Sequence, residues 1–380
     1  MRAGALGGLF AVLLTGCTAS PADDSELNPP VTTVRTPGIV ADLRPVEPLV
    51  DRAAHTASLL PNGRVLVVGG CVVDGCSDAT ERTELYDPST ESFRAGPKLA
   101  QPRDGHTATA LPSGDLLIVG GYTGEGSGPL ATAELYLVAT AKFVPAGEMA
   151  VGRGAHAAAL LADGRVLVVG GWVGPGTFTE TVEVWDPETR AFSPVNSLPT
   201  ALGGATATSL PDGRVLVVGG EEPQGQGLGR SNIYDPDRDS WEAGPSLGQP
   251  RFKHAAVALD SGEVLVVGGT PDDHQLIAAV EVFDGASFRA AGTLTQGRYK
   301  LADAVVRLPD GRVLVAGGGD SAEVYDPAAE TAVTITATEG LRSSFATATV
   351  LGSGDVLVIG GYDRTIDLRR AAYVLELAST

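Results

Sequence analysis

The stretch Val65-Leu66-Val67-Val68-Gly69-Gly70 decides how this 380-residue chain folds, because six close copies of it follow. The copies occupy residues 116–121, 166–171, 215–220, 264–269, 313–318 and 356–361. The first glycines stand at 69, 120, 170, 219, 268, 317 and 360, so successive steps are 51, 50, 49, 49, 49 and 43 residues. A fixed period of this size marks a repeat architecture.

Each copy has the composition of a short strand that is buried on both faces. Four consecutive β-branched or leucine residues do not alternate with polar ones, as the residues of a half-exposed strand would. The runs are too short for helices, and Gly-Gly ends each of them. Strands buried on both sides need neighbours on both sides. Seven small sheets packed face to face around one axis provide such neighbours.

The repeat unit contains four strands in a fixed order. A strand of small residues such as 55–60 precedes a tight turn, Pro61-Asn62-Gly63, and the Gly-Gly strand follows it. The third strand ends in Glu84-Leu85-Tyr86-Asp87-Pro88, and the fourth carries an aromatic residue such as Phe93. This order resembles the kelch repeat, whose units are four-stranded propeller blades. The resemblance extends over residues 37–380 and implies an all-β, seven-bladed β-propeller of antiparallel blades.

Two units depart from the pattern. The sixth has Ala332 in place of the fourth-strand aromatic residue, and the seventh stops after its third strand, near residues 373–375. Residues 39–49 align with the fourth strands of the other units. We therefore expect an N-terminal strand to complete the last blade and close the ring.

The N-terminus has the pattern of an export signal. Arg2 precedes an apolar run at 6–14, and Leu14-Thr15-Gly16-Cys17 resembles the lipobox of bacterial lipoproteins. The resemblance implies removal of residues 1–16, acylation of Cys17 by a fatty acid such as palmitate, and, with Thr18 next, an outer-membrane location. The alternative is an ordinary signal peptide that contains a cysteine. Residues 17–36 are polar and rich in proline and threonine, which predicts a disordered tether.

Cys71 and Cys76 are the other two cysteines of the chain. They share the loop after the first Gly-Gly, and in an exported protein such a pair favours a disulfide. A metal site is the weaker alternative, because neither a second cysteine pair nor a nearby histidine completes a ligand set.

The formal net charge of −19 limits the classes of partner. A strongly acidic surface argues against nucleic acid and against anionic membrane surfaces, so we expect membrane contact only through the lipid on Cys17. A monomer is expected.

The loops between the second and third strands vary most, and we expect them to form the ligand-binding face. The residue after Gly-Gly is aromatic in three units, as Tyr122, Trp172 and Tyr362, which a seven-bladed ring would place along one arc. Such aromatic side chains can stack on sugars or anchor a peptide. The alternative is that they pack over their own blade.

Histidines and arginines recur near the same face. Histidine stands 14 residues before the first glycine of Gly-Gly at His55, His106, His156 and His254, where the other units have Ala205, Asp303 and Ala346. Arginine precedes these histidines by three residues at Arg52, Arg103, Arg153 and Arg251, with Arg298 and Arg342 as shifted equivalents. For both sets we expect bonding between blades. The alternatives are a metal site for the histidines and an anionic ligand for the arginines.

No catalytic motif is present in the sequence. Some kelch propellers, such as galactose oxidase, are copper enzymes with His and Tyr ligands and a Tyr–Cys cross-link, but this chain has no Tyr-His pair and no Gly-x-Ser-x-Gly or His-Glu-x-x-His motif. We therefore expect a non-catalytic, lipid-anchored module that binds a protein or glycan at the bacterial envelope and carries neither cofactor nor metal. The alternative is a carbohydrate-active enzyme on a kelch propeller of galactose-oxidase-like or related type.

Overall fold

The computed structural model describes residues 39–377, apart from 125, 224, 337–342, 364–366 and 369–370. The predicted signal peptide (1–16) and tether (17–36) lie outside the described residues. Gly38–Thr380 form one compact unit. In the described residues all regular elements are β-strands except the short 3-10 turn Asp74–Cys76. The described part also has no helix of the length and apolarity that crossing a membrane requires.

Seven antiparallel sheets of four strands form the fold, as the repeat predicts. Blade 1 consists of Thr56–Leu59, Val65–Val68, Thr83–Asp87 and Ser92–Ala95. Blade 2 consists of Thr107–Ala110, Leu116–Val119, Thr132–Leu137 and Lys142–Glu148. Blade 3 consists of Ala157–Leu160, Val166–Val169, Val182–Asp186 and Ala191–Val195. Blades 4 and 5 consist of Thr206–Ser209, Val215–Val218, Ser231–Asp235 and Ser240–Ala243; and Ala255–Ala258, Val264–Val267, Ile277–Phe283 and Phe288–Arg298. Blade 6 consists of Val305–Arg307, Val313–Val315, Glu323–Asp326 and Thr331–Thr336. Blade 7 consists of Thr347–Val350, Val356–Ile359, Ala372–Leu377 and the N-terminal strand Ile39–Val46. A small hairpin, Trp172–Gly174 with Thr177–Phe178, extends from blade 3.

The second strand of each blade supplies the core. In blade 1, Leu66 and Val68 pack against residues of blade 2, whereas Val65 and Val67 pack against residues of blade 7. All four side chains are at most 1% exposed. Alternate residues thus face opposite neighbours, which confirms that the run is apolar because both of its faces are buried.

The ring closes through the N-terminal strand. Six residues of Ile39–Val46 pair antiparallel with Ala372–Leu377, from Ala41 opposite Leu377 to Val46 opposite Ala372. The prediction that this segment completes blade 7 is therefore confirmed. The strand also begins with two parallel pairs to the outer strand of blade 6, which join blades 6 and 7 into one eight-stranded sheet. The sequence pattern does not predict this parallel pairing.

The recurring aromatic residues of the third and fourth strands form cross-strand pairs. Tyr86 and Phe93 are opposite each other with ring centroids 5.0 Å apart, and Tyr234 and Trp241 repeat the pair at 4.9 Å. Such pairs stabilise a sheet locally. These aromatic residues therefore belong to the scaffold.

The antiparallel order of the strands defines two faces of the disc. The second strands end on one face, together with the Gly-Gly pairs, the variable loops and the connections between blades; we call it the Gly-Gly face. The tight turns such as 61–63 lie on the opposite face, the turn face.

Candidate functional site

Seven residues, one at the entrance to each blade, form a closed circle around the axis on the Gly-Gly face. We call it the mouth ring, and it consists of Ala54, Gly105, Ala155, Gly204, Lys253, Lys300 and Phe345. Each N–H donates to the carbonyl oxygen of its counterpart in the preceding blade, with N–O distances between 2.8 and 3.3 Å. The bond from Ala54 to Phe345 closes the circle.

All seven residues have left-handed backbone conformations, with φ between 46° and 62°. Glycine adopts this conformation without strain, whereas other residues incur about 1–2 kcal/mol each. Lys253, Lys300 and Phe345 nevertheless carry large side chains there. The same conformation occurs at non-glycine residues of the turns between third and fourth strands, so it does not by itself mark a site. What is particular to the mouth ring is that three consecutive members of one hydrogen-bonded circle carry large side chains, which is a reason to suspect a functional role for them.

Lys300 lies in a cage of three aromatic rings. Its Nζ is 4.9 Å from the ring centroid of Tyr299, 5.0 Å from that of Tyr362 and 5.5 Å from that of Phe345. It also donates a hydrogen bond of 2.8 Å to the Tyr362 hydroxyl. Burial, with the neighbouring charge of Lys253, lowers the pKa of Lys300 to about 8.

Lys253 is the second cation of the mouth ring. Its side chain is 24% exposed, and its Nζ forms an ion pair of 2.7 Å with Asp273. The same Nζ lies 4.8 Å from the ring centroid of Phe252, which is fully buried. Lys253 is thus held in place from both sides while it faces solvent.

Two carboxyl groups near the mouth ring titrate close to neutral pH. Burial raises the pKa of Glu221 to about 7, although Lys253 and the Trp172 indole favour its ionised form. Burial, with a smaller effect of Asp78, raises the pKa of Asp104 to about 7 as well. The Gly-Gly face therefore changes its charge in the physiological range.

The three aromatic residues after Gly-Gly are half-buried or buried. A Cβ built on Gly154 would lie 2.2 Å from Tyr122 Cε2, and one on Gly203 would lie 2.5 Å from Trp172 Cδ1. Tyr122 and Trp172 therefore pack on glycines of the following blade, and Trp172 also packs on Phe178 of its own blade, with ring centroids 5.1 Å apart. Tyr362 is 7% exposed and contacts Phe345 and Lys300. Of the three, Tyr362 thus forms part of the cage around Lys300.

The arginines bond between blades beneath the face. Arg103 donates to Gly120 O and to Glu134 Oε1 in blade 2, both at 2.9 Å, and its own carbonyl accepts from Gly70 N–H in blade 1. The ion pair recurs as Arg52–Glu84, Arg153–Glu183, Arg251–Glu281 and Arg298–Glu323. These five arginines are at most 1% exposed, so a ligand on the surface does not reach them. Arg342 lies outside the described residues.

The histidines also bond between blades. Each Nε2 is hydrogen-bonded at 2.9–3.0 Å to a threonine hydroxyl of a neighbouring blade, in the pairs His55–Thr347, His106–Thr56, His156–Thr107 and His254–Thr206. Burial lowers the pKa of all four, to about 3 for the last three, so the rings are neutral. No group of three or more metal-ligating side chains converges in the described residues.

Blade 6 breaks the histidine register. The first strand of blade 5 begins two residues after Lys253, but that of blade 6 begins five residues after Lys300. Leu301 therefore occupies the place of the imidazole: it lies over Gly268 as His254 lies over Gly219. Asp303, which residue spacing aligns with the histidines, is displaced and exposed to solvent.

The predicted disulfide between Cys71 and Cys76 is present. Its loop borders the cage around Lys300, because Cys71 packs with Ala53 and with Tyr362, one of the rings of that cage. Asp74 in the same loop accepts a hydrogen bond of 2.9 Å from Leu368 N–H of blade 7. The disulfide loop thus fastens blade 1 to blade 7 beside Tyr362.

The turn face offers a contrasting cleft between blades 3 and 4. Its charged lining includes Asp163, Asp212, Arg214, Asp235 and Arg238. Asp212 pairs with Arg214, and Asp235 with Arg238, both at 2.7 Å. The charges there satisfy each other, unlike the caged amine of Lys300.

Sequence reasoning missed Lys253, Lys300 and Phe345. One signal was available for Lys253: the residue directly before the histidine position is alanine or glycine in blades 1 to 4 and lysine in blade 5. The insertion in blade 6 conceals Lys300 from the same comparison.

These features define a class, the seven-bladed β-propeller closed by an N-terminal strand. Residues 54–269 match the model of the KLHDC2/KLHL20/DRC7 Kelch-repeats domain. That range holds 216 of the 380 residues (269 − 54 + 1), more than half. The chain belongs to the kelch-repeat family.

One solved structure with a similar fold is a fungal alcohol oxidase of the AA5 family, determined in complex with copper. The two structures align with a TM-score of 0.70 over 90% of this chain and 76% of the oxidase, at 16% sequence identity. At this identity the likeness shows the fold alone. No curated protein sequence matches the chain.

Proposed function

We propose that this kelch propeller is a non-catalytic binding module that holds a protein or glycan ligand on its Gly-Gly face, above the mouth ring. One observation carries the proposal: Lys253, Lys300 and Phe345 occupy strained left-handed positions that glycine fills elsewhere in the same ring. The backbone of the circle does not require large side chains at these three positions, because glycine or alanine fills the other four. Membership of a family of binding propellers supports it.

The chemistry of the mouth suits a ligand that combines flat apolar surface with hydrogen-bond acceptors. The half-buried rings of Tyr299 and Phe345 provide faces for stacking. The amines of Lys253 and Lys300 provide donors. Sugar rings with their hydroxyl groups, and peptides with their carbonyl groups, both present this combination.

The test uses the chain with Cys17→Ser, which removes the expected lipidation site, on a glycan array and in pull-down experiments. Once a ligand is found, Lys253→Ala and Phe345→Ala should each weaken binding at least tenfold. Arg238→Ala on the turn face, whose side chain is 77% exposed, is the matched control and should leave affinity unchanged. A ligand lost on the Arg238 change but retained on the other two would overturn the proposal.

We further infer that Cys17 anchors the protein by a lipid at the bacterial envelope. The sequence Leu14-Thr15-Gly16-Cys17 behind an apolar run supports this. Feeding cells an alkyne analogue of palmitate should label the protein, and Cys17→Ser should abolish both the label and membrane recovery. Membrane recovery that persists in the variant would contradict the anchor.

A further inference from the structure

The surroundings of Lys300 differ from those of every other lysine in the chain. The four lysines are Lys98, Lys142, Lys253 and Lys300. Lys98 and Lys142 are exposed, and Lys98 and Lys253 pair with carboxylates at 2.7 Å. The Nζ of Lys300 instead contacts three aromatic rings and one phenol oxygen. Its side chain is half-buried, and its backbone belongs to the mouth ring.

Two physical effects in this cage favour the neutral amine over the ammonium ion. Aromatic rings replace water around the Nζ, so the charged form loses solvation. The ring faces also attract a cation, which acts against this loss. The mouth ring also holds Lys253 next to Lys300, since Lys300 N–H donates to Lys253 O at 2.8 Å, and its positive charge opposes a second one. Desolvation and a neighbouring cation are the two means by which proteins turn lysine into a nucleophile.

We propose that Lys300 is a carbonyl-capturing residue, which binds ligands that carry an aldehyde or ketone by forming a reversible imine at the mouth of the propeller. This goes beyond the proposed binding function and does not depend on it. The flat walls of the cage favour carbonyl groups attached to an aromatic or other planar group.

The reaction balances without an oxidant or reductant. The lone pair of the Lys300 Nζ forms a bond to the carbonyl carbon, and the carbonyl oxygen takes up a proton to give a carbinolamine. Loss of that oxygen as water leaves a protonated imine. Tyr362 is placed to pass the proton, because its hydroxyl lies 2.8 Å from the Nζ and burial raises its pKa, which keeps it protonated.

The groups that face the Nζ determine the pH at which capture occurs. They are Lys253 from the entrance to blade 5, Asp273 from its variable loop, Tyr299 beside Lys300, and Tyr362 from blade 7. The pKa of Lys300, about 8, leaves about one amine in ten uncharged at pH 7. Capture should therefore rise between pH 7 and pH 9.

The experiment treats the folded full chain with benzaldehyde and sodium cyanoborohydride, which reduces the imine to a stable amine, and locates adducts by peptide mass spectrometry. At pH 7, Lys300 should be modified at least tenfold faster than Lys98 and Lys142, which are references within the same molecule. An equal or lower rate at Lys300 would overturn the proposal.

Two variants separate reactivity from mere access. Lys300→Arg retains the positive charge but should lose the fast adduct completely. Lys253→Met should leave the fold intact, slow the modification of Lys300 several-fold at pH 7 and move its pH profile upward. An unchanged profile in Lys253→Met would refute the role of the neighbouring cation, and a fast adduct on another lysine in Lys300→Arg would refute the assignment itself.

Discussion

Gly203 and Gly204 are adjacent, but the structure requires glycine at each for a different reason. A Cβ on Gly203 would lie 2.5 Å from ring atoms of both Trp172 and Phe178. A Cβ on Gly204 would lie 3.9 Å or more from any neighbour, but the backbone there has a φ of 62°. The first glycine provides space for an aromatic pair, and the second permits a left-handed conformation.

We predict different outcomes for alanine at these two positions. Gly204→Ala should cost about 1 kcal/mol of the free energy of unfolding, because only backbone strain is added. Gly203→Ala should cost about 1–3 kcal/mol by overpacking and should displace Trp172. Urea unfolding measures the cost, and tryptophan fluorescence should shift in Gly203→Ala alone. A spectral shift of equal size in Gly204→Ala would contradict this account.

His254 makes the stability of the fold depend on pH. Its folded-state pKa is about 3, because burial and then Arg251 disfavour the charged ring, against about 6.5 in the unfolded chain. The neutral, buried imidazole therefore makes its full contribution to stability above about pH 6.5. That contribution is lost as the pH falls towards 3, because the unfolded chain binds a proton that the folded protein does not.

We predict that His254→Leu will flatten this pH dependence. Leu301 already occupies the equivalent place in blade 6, so leucine fits. The variant should lose about 1 kcal/mol at pH 7.5 through the missing bond to Thr206. Between pH 6 and pH 4 its free energy of unfolding should fall less steeply than that of the wild type, by about 1.4 kcal/mol per pH unit. Chemical denaturation at a series of pH values measures this, and parallel profiles would refute it.

At the scale of the element, a buried arginine–glutamate pair connects the entrance loop to its blade in blades 1, 2, 3, 5 and 6. Blade 4 lacks the pair: Leu202 O accepts from Gly171 N–H as Arg103 O does from Gly70 N–H, and Asn232 stands where Glu134 does. The fold therefore tolerates an uncharged version of this seam. Loss of only one of the two charged residues is a different change, because it leaves a buried charge without its partner.

We predict a strong coupling between Arg103 and Glu134. Arg103→Leu alone should cost about 3–5 kcal/mol, since it leaves a buried carboxylate without its partner. Adding Glu134→Asn, which copies blade 4, should recover at least about 2 kcal/mol relative to the sum of the single changes. A double-mutant cycle by urea denaturation measures the coupling. Additive costs would show that the charges do not stabilise each other.

The elements themselves were predictable, whereas the mouth ring was not. Runs such as 65–70 specify buried strands because four apolar residues and Gly-Gly recur at one period. The ring depends on backbone hydrogen bonds between residues about 50 positions apart, and no residue type marks them. Lys300 is further concealed by the insertion before the first strand of blade 6. The sequence predicts that the arginines and histidines bond between blades, but it does not predict that burial removes them from the surface.

At the scale of the whole molecule, one strand closes the circle. Ile39–Val46 bonds to blade 7 along its length and to blade 6 at its start. Leu43 and Val46 of this strand also pack on core clusters of these blades. Without the strand, the outer edge of blade 7 would be unpaired.

We predict that deletion of residues 37–50 will lower the melting temperature by more than about 5 °C, because it removes both strand pairing and buried apolar side chains. Deletion of residues 18–30 is the matched control, since it shortens the predicted tether and leaves the strand in place. Differential scanning calorimetry compares the two. Equal melting temperatures would mean that the ring does not need this closure.

The mouth ring leaves recognition to side chains. Every one of its peptide groups is committed to a neighbour, both as donor and as acceptor. Substituting a ring residue therefore changes what projects over the axis without disturbing the backbone circle. The side chains at the seven positions can therefore be varied while the backbone of the ring stays constant. Substitutions at these positions offer a direct route to propellers that bind new ligands.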